Sequence, residues 1–215
     1  MDVTVPTIGV LDKAVAVIDA LARAERPLGL AELVAASALP RATAHRIAVA
    51  LEGHGLVRRD RDGRFAPGLR LVGLGRAAAT AFPLADAARP MLEHLRDETG
   101  ESVQLFVRSG DGRLCVESLE SAHGLRWIVP VGAVLPLDRG SAGRVLSGLG
   151  GSVVESVEER EAGVASVSAA IRDRSGGVLA AVSVSGPIER VSRAPAERYG
   201  DAVQAAARAI EARIQ

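Results

Sequence analysis

A chain of 215 residues, 48% hydrophobic and 24% charged, has material for one large or two small packed cores. Its 26 basic and 26 acidic residues cancel, so total charge points to no polyanionic partner, and no run of eighteen apolar residues could span a membrane. A lone cysteine, Cys115, excludes an internal disulfide and a cysteine-rich zinc site, and Met1-Asp2-Val3 opens without the basic and apolar stretches of a signal peptide, so a soluble cytoplasmic protein with no cofactor or metal is expected.

The first predicted element is a helix from Leu11 to the turn at Arg26-Pro27, with Leu11, Val15, Ile18, Leu21 and Ala22 on one face. Leu30, Leu33 and Val34 mark a second, short helix, which Ser37-Ala38-Leu39-Pro40 breaks. A third follows at once. In it Ala44, Ile47, Ala48 and Leu51 recur at helical spacing toward a core, leaving Ala42, Thr43, His45, Arg46 and Val49 on the other side, and Gly53 and Gly55 end it. Leu56 to Arg59 and Arg64-Phe65 then flank Asp60-Arg61-Asp62-Gly63, whose Asp-Gly pair suits a tight hairpin turn and makes a basic wing.

The order helix, turn, helix, wing over Leu28 to Pro67 suits DNA. Small and polar residues at the exposed N-terminal end of the third helix would let it enter the major groove. There Arg41 and Arg46 reach phosphate or guanine, Thr43 reaches phosphate or base edges, and His45 adds a donor; Arg58, Arg59, Arg61 and Arg64 suit the backbone or the minor groove beside it. The plain alternative is a solvated helix pair followed by a surface hairpin. Local charge weighs against it: Arg41, Arg46, Arg58, Arg59, Arg61, Arg64, Arg70 and Arg76 face only Glu52, Asp60 and Asp62, a net charge of five positive that the rest of the chain must offset. Nucleic acid is therefore expected to touch one part of the chain only.

Leu69, Leu71, Val72 and Leu74 begin a further helix that runs through Ala79 and turns near Phe82-Pro83. It reads as a linker whose small residues allow packing on another helix, in the same chain or in a dimer partner. Ala85, Ala88, Met91, Leu92 and Leu95 share the face of the next helix, which stops at Thr99-Gly100. Alternation then predicts strands over Ser102 to Arg108 and Arg113 to Ser118 across Asp111-Gly112, with Leu114 and Val116 inward, and another over Trp127-Ile128-Val129 and Val131 to Leu137. Gly140-Ser141-Ala142-Gly143 opens a short helix. Strands over Ala165 to Ile171 and Val178 to Ser185 flank a turn at Asp173 to Gly177, and a long helix runs from Pro195 to Ile214. Helices covering an antiparallel sheet make an α+β, sensor-like domain. An enzyme is not expected, since His45, His54, His94 and His123 are scattered and neither a Gly-x-Ser-x-Gly motif nor a phosphate loop occurs. Cys115 reads as a buried small side chain, and Glu158, Glu159 and Arg160 as solvated charges at the start of a strand.

Several stretches together resemble the IclR family of bacterial transcription regulators: Gly9 to Ala14, Thr43-Ala44-His45-Arg46, Leu51-Glu52, Gly55-Leu56-Val57, Gly140 to Leu146, Ser156 to Ala169 and Ala180 to Pro187. Within the family the chain is similar to the actinobacterial NdgR type, through Gly100-Glu101-Ser102, Gly124-Leu125-Arg126 and Val129 to Gly132. The resemblance implies a winged helix-turn-helix domain over residues 1–67, a linker helix over 68–82 and a GAF-like α+β effector-binding domain over 83–215. It implies a homodimer or a dimer of dimers on double-stranded operator DNA, repressing or activating amino-acid biosynthesis genes of the leucine type. It also implies a small effector, an amino acid or related carboxylate, held by Ser141, Ala142, Gly143, Val164, Ser166, Ser183 and Ser185. Their chemistry fits: a helix start offers free N–H groups to an anion, Ser183 and Ser185 share one sheet face, and Val164 supplies apolar contact. In one respect the chain departs from the family, because Leu149 to Ser152 bridges a stretch that is normally longer and helical. Either this is a true shortening, which would open the pocket, or a stretch is absent from the chain as given.

Overall fold

The computed structural model describes residues 9–81 and 83–214. Their contacts divide the chain into two units, Met1–Ala81 and Phe82–Gln215. The opening Met1-Asp2-Val3 and the predicted turn at Phe82 lie outside the described residues.

In the first unit, helices α1 (Gly9–Ala22), α2 (Leu30–Ser37) and α3 (Arg41–Gly53) precede strands β1 (Val57–Arg59) and β2 (Phe65–Pro67) and helix α4 (Arg70–Ala81). Val17, Ala20 and Leu21 of α1, Leu33 of α2, Ile47, Ala48 and Leu51 of α3, and Val57 and Phe65 of the hairpin form one core. The apolar face of α1 therefore differs from the predicted stripe. Leu11 and Val15 are more than half exposed, because the three-helix core accepts the neighbouring set of positions instead. Ala38, in the left-handed region at φ 54°, ends α2, and Pro40 starts α3 where a missing N–H costs nothing. Leu28 exchanges both backbone hydrogen bonds with Phe65 at 2.8 Å, so the wing is pinned to the chain entering α2. Asp60 accepts the Asp62 and Arg64 N–H groups at 3.0 and 2.8 Å, and Gly63 takes φ 75°, which closes the wing turn.

The second unit carries a six-stranded antiparallel sheet in the order β5-β4-β3-β8-β7-β6. Its strands are β3 (Ser102–Ser109), β4 (Gly112–Leu119), β5 (Val134–Pro136), β6 (Val153–Val157), β7 (Val164–Arg172) and β8 (Val178–Pro187). Helices α5 (Leu84–Thr99) and α8 (Pro195–Ile214) pack on Val103, Leu105, Val167, Ile171, Val182 and Val184 on one face. The short helix α6 (Ser141–Leu146) covers the other face, packing with Phe106, Cys115, Val154 and Ala181, while α7 (Ile188–Val191) follows β8. The period of two thus divides β8: Ala180, Val182 and Val184 join the α5/α8 layer, and Ser183 and Ser185 look toward α6. This mixed helix and sheet domain matches the α+β expectation.

Two predicted features change. Trp127 to Val129 form no strand, because on the side away from β3 the strand β4 pairs only with Val134 to Pro136. The segment before it is held instead by single bonds, Gly132 N–H to the Cys115 carbonyl at 2.8 Å and Cys115 N–H to the Ala133 carbonyl at 2.9 Å. Pro130, lacking an N–H, and Gly132 at φ 89° prevent a continuous ladder. Glu158, Glu159 and Arg160 are not simply solvated charges. Glu158 accepts the Gly163 N–H at 3.1 Å and pairs with Arg193, which holds its carboxyl below the usual range, and Glu159 pairs with Arg144.

Candidate functional site

In the first unit α3 is split lengthwise. Ala44, Ile47, Ala48 and Leu51 are buried, whereas Arg41, His45 and Arg46 are exposed and Thr43 is half-buried. On the wing Arg58, Arg59, Arg61 and Arg64 are all exposed. Two of these wing arginines are already engaged. Arg59 pairs with Glu52 at 3.0 Å and lies 4.6 Å over the Phe65 ring, and Arg64 pairs with Glu32 at 3.4 Å. Glu32 also accepts the Gly29 N–H at 2.7 Å and pairs with Arg26 at 2.5 Å; the Arg26 hydrogen bond first, then that N–H, hold its carboxyl at about 2. Arg41, Arg46, Arg58 and Arg61 have no such partner among the described residues, so four guanidiniums stand open to an external polyanion.

A small cleft opens in the second unit between α6 and the sheet. Of the effector residues expected from sequence, Ser141, Ala142, Val164, Ser166, Ser183 and Ser185 line it together. Gly143 does not. A Cβ there would come within 2.3 Å of Arg113 Nη1 and of the Leu137 carbonyl, so its role is close packing. At the start of α6 one backbone donor is taken, since the Gly140 N–H donates to Glu159 at 3.0 Å. The Ser141 hydroxyl bonds to Ser166 at 2.8 Å and Ser168 at 2.7 Å, fixing α6 to β7.

Among the lining residues that the sequence reading did not assign to the site are Gln104 and Phe106 of β3, Arg113 of β4, and Arg160 in the loop before β7. Arg113 is 3% exposed and forms no ion pair among the described residues. Its Nη1 donates to the carbonyls of Pro136 at 2.6 Å and Arg139 at 2.5 Å, while its Nε is buried without a partner. Burial, and then the charge of Arg160, push this guanidinium down to about 10. Gln104, 1% exposed, accepts the Ser185 hydroxyl at 2.7 Å and leaves its Nε2 unpaired. Arg160 stacks 4.5 Å over Trp127, and both line the cleft. Among the described residues no cluster of His, Cys, Asp and Glu could hold a metal ion.

Residues 10–61 match the family model of the IclR helix-turn-helix domain, and residues 76–152 and 150–212 match that of the bacterial transcriptional regulator IclR C-terminal region. The chain belongs to the IclR family. It is a transcriptional regulator with a helix-turn-helix DNA-binding domain and an effector-binding C-terminal domain. The two C-terminal IclR matches overlap at 150–152, in the connection from α6 to β6. The glycerol operon regulatory protein of Streptomyces griseus is 29% identical over 238 residues, covering 93% of this chain and 94% of that protein. The transcriptional repressor IclR of Escherichia coli K12 is 24% identical, covering 93% and 88%. KipR of Bacillus subtilis is 32% identical over 117 residues, 54% of this chain and 47% of that regulator. In fold, the chain is similar to an IclR homolog from Microbacterium hydrocarbonoxydans crystallised with 4-hydroxybenzoate, at a TM-score of 0.80 and 22% identity, covering 95% of this chain and 98% of that one. The Thermotoga maritima IclR gives a TM-score of 0.72 at 21% identity, covering 96% and 98%.

Proposed function

We propose that this IclR-family regulator reads double-stranded operator DNA with α3 in the major groove and the wing beside it, and that a small effector in the α6 cleft alters its affinity. Arg41, Thr43, His45 and Arg46 contact bases and nearby phosphates, and Arg58, Arg59, Arg61 and Arg64 contact the backbone. The observation that carries this reading is the split of α3, whose packed side builds the core while its polar side carries two arginines with no internal partner. Residues 1–67 serve as the DNA-binding domain, 68–82 as the linker and 83–215 as the effector domain. Ser141, Ala142, Val164, Ser166, Ser183 and Ser185 line the effector site.

A homodimer, or a dimer of dimers, supplies the paired recognition helices that two half-sites need. Exposed Val10, Leu11 and Val15 on α1 and Leu69, Val72 and Leu74 at α4 offer it apolar surface. The effector biases one spacing of the two helices over another through the segment from Leu69 to Phe82. The resemblance to the NdgR type supports cytoplasmic action on amino-acid, leucine-type biosynthesis genes. That the Microbacterium homolog was crystallised with an aromatic carboxylate is in keeping with an organic acid as the effector.

The test is fluorescence anisotropy on duplexes from upstream of the regulator's own gene, with and without candidate effectors. Specific binding is expected, and Arg46→Ala should weaken it by about tenfold to a hundredfold, the equivalent of roughly 1–3 kcal/mol. Absence of specific binding under every condition, with Arg46→Ala indistinguishable from the parent, would leave a sensor module that does not read DNA.

A further inference from the structure

Just past the last turn of α3 the chain presents three consecutive carbonyl groups, those of His54, Gly55 and Leu56, and the entry to α4 takes all three. Arg70 Nη1 donates to His54 at 3.0 Å, the Arg70 N–H to Gly55 at 3.3 Å and the Gly68 N–H to Leu56 at 2.9 Å. The two helices are joined end to end. A guanidinium suits this place, because carbonyls beyond the final turn lack helical partners and the C-terminal end of a helix favours a cation. Gly68 makes the approach feasible. It is buried, and a Cβ on it would stand 2.1 Å from the Gly55 carbonyl oxygen and 2.7 Å from the Leu56 carbonyl carbon.

Beyond its first turn α4 has little else to hold it to the three-helix core. Every residue from Val72 to Ala78 is exposed, so none of them is packed into that core. The direction in which α4 leaves the core is therefore fixed at the junction with α3. If Leu69, Val72 and Leu74, all exposed, meet a second copy of the chain, the junction also fixes how far each α3 stands from the two-fold axis.

We propose that Gly68 and Arg70 are specificity-determining residues for operator spacing: by locking α4 to the end of α3 they allow one separation of the two half-sites and reject others. The inference rests on the reading of α3 as the DNA-contacting helix of a dimer, and it adds which residues set the distance between the two contacts. Each base pair inserted between half-sites moves them apart by about 3.4 Å and turns one against the other by about a tenth of a turn. A locked pair of helices cannot follow that displacement, whereas a loosened one can.

The experiment uses the full chain and the duplex that it binds upstream of its own gene, with the half-sites located by footprinting. Anisotropy compares that duplex with versions lengthened or shortened by two base pairs between the half-sites, and with one carrying a single half-site. The parent should bind the altered spacings about tenfold more weakly or worse, while in Arg70→Ala and Gly68→Ala the difference narrows to about threefold or less. Affinity for the single half-site should stay within about twofold of the parent in both variants, because neither residue is assigned to the DNA. Arg70→Ala, at an exposed side chain, decides alone should Gly68→Ala fail to melt cooperatively. A parent indifferent to spacing would overturn the proposal, as would folded variants that keep the parent's discrimination. An equal loss on the single half-site and the full duplex would make Arg70 a phosphate contact instead, and overturn it too. Absence of specific binding by the parent to any duplex would remove both the lock and the DNA-reading function on which it rests.

Discussion

Gly143 shows how little room the cleft's frame leaves at the level of single atoms. A methyl group there would meet Arg113 Nη1 and the Leu137 carbonyl at 2.3 Å, so Gly143→Ala must push α6 away from β4. A loss of about 1–3 kcal/mol is expected, read as a lower midpoint in urea unfolding. Cys115 makes a different prediction. Burial, with the nearby Glu117 charge, pushes its thiol up to about 12, so at pH 8 it stays protonated and shielded in the folded chain. An aromatic disulfide reagent should release its coloured thiolate only as denaturant passes the unfolding midpoint, and rapid reaction in native buffer would contradict the buried placement. Cys115 was readable as a buried side chain from its apolar neighbours. Arg113, two residues earlier, was not. Alternation over Arg113 to Ser118 pointed to Leu114 and Val116 as the inward set, but α6 roofs the opposite face, so Arg113 and Cys115 are the more buried.

At the level of elements, the wing stays in register through Glu32 as well as through its own turn. Glu32 joins the start of α2 to Arg26 and, across the chain, to Arg64. Because its carboxyl lies at about 2 when folded, against an ordinary 4.5, its contribution is complete above pH 4.5 and is lost as pH falls toward 2. Thermal melts of the parent and of Glu32→Gln should therefore differ most at neutral pH, and their midpoints should converge between pH 4.5 and pH 2. A difference that grows on acidification would be inconsistent with the clamp. Most elements of the chain were legible because local signals agreed with burial: Pro40 before α3, Asp60 to Gly63 in the wing, Gly100 after α5 and the long periodic run of α8. Three were not. Strand β6 pairs only with β7 at the sheet edge, and its Val-Val-Glu-Ser-Val pattern is too short to separate from the loop before it. The four residues of α7 lie below the length at which periodicity speaks. The stripe chosen for α1 contained more apolar residues than one face could bury, and only the packed core selects among them.

At the level of the whole molecule, zero net charge conceals a division between a basic segment and an acidic remainder. DNA affinity should then fall steeply with added salt, although the protein as a whole is neutral. Arg58→Ala and Arg61→Ala should each lower the slope of log affinity against log salt by about one and weaken all duplexes alike, whereas Arg46→Ala should change which sequences are preferred. Equal slopes for the parent and both wing variants would remove the wing from the DNA. The sheet of the second unit has a consequence for how such a regulator changes over time. On β8 the residues that face the helical core, Ala180, Val182 and Val184, alternate with Ala181, Ser183 and Ser185 on the cleft side. If the cleft holds the effector as proposed, heritable variation can act on its lining at positions 183 and 185, codon by codon, while the interleaved codons go on encoding stability. A single inserted codon between them would instead transpose the two roles at once, so lineages are expected to diverge here by replacement and to lengthen or shorten elsewhere.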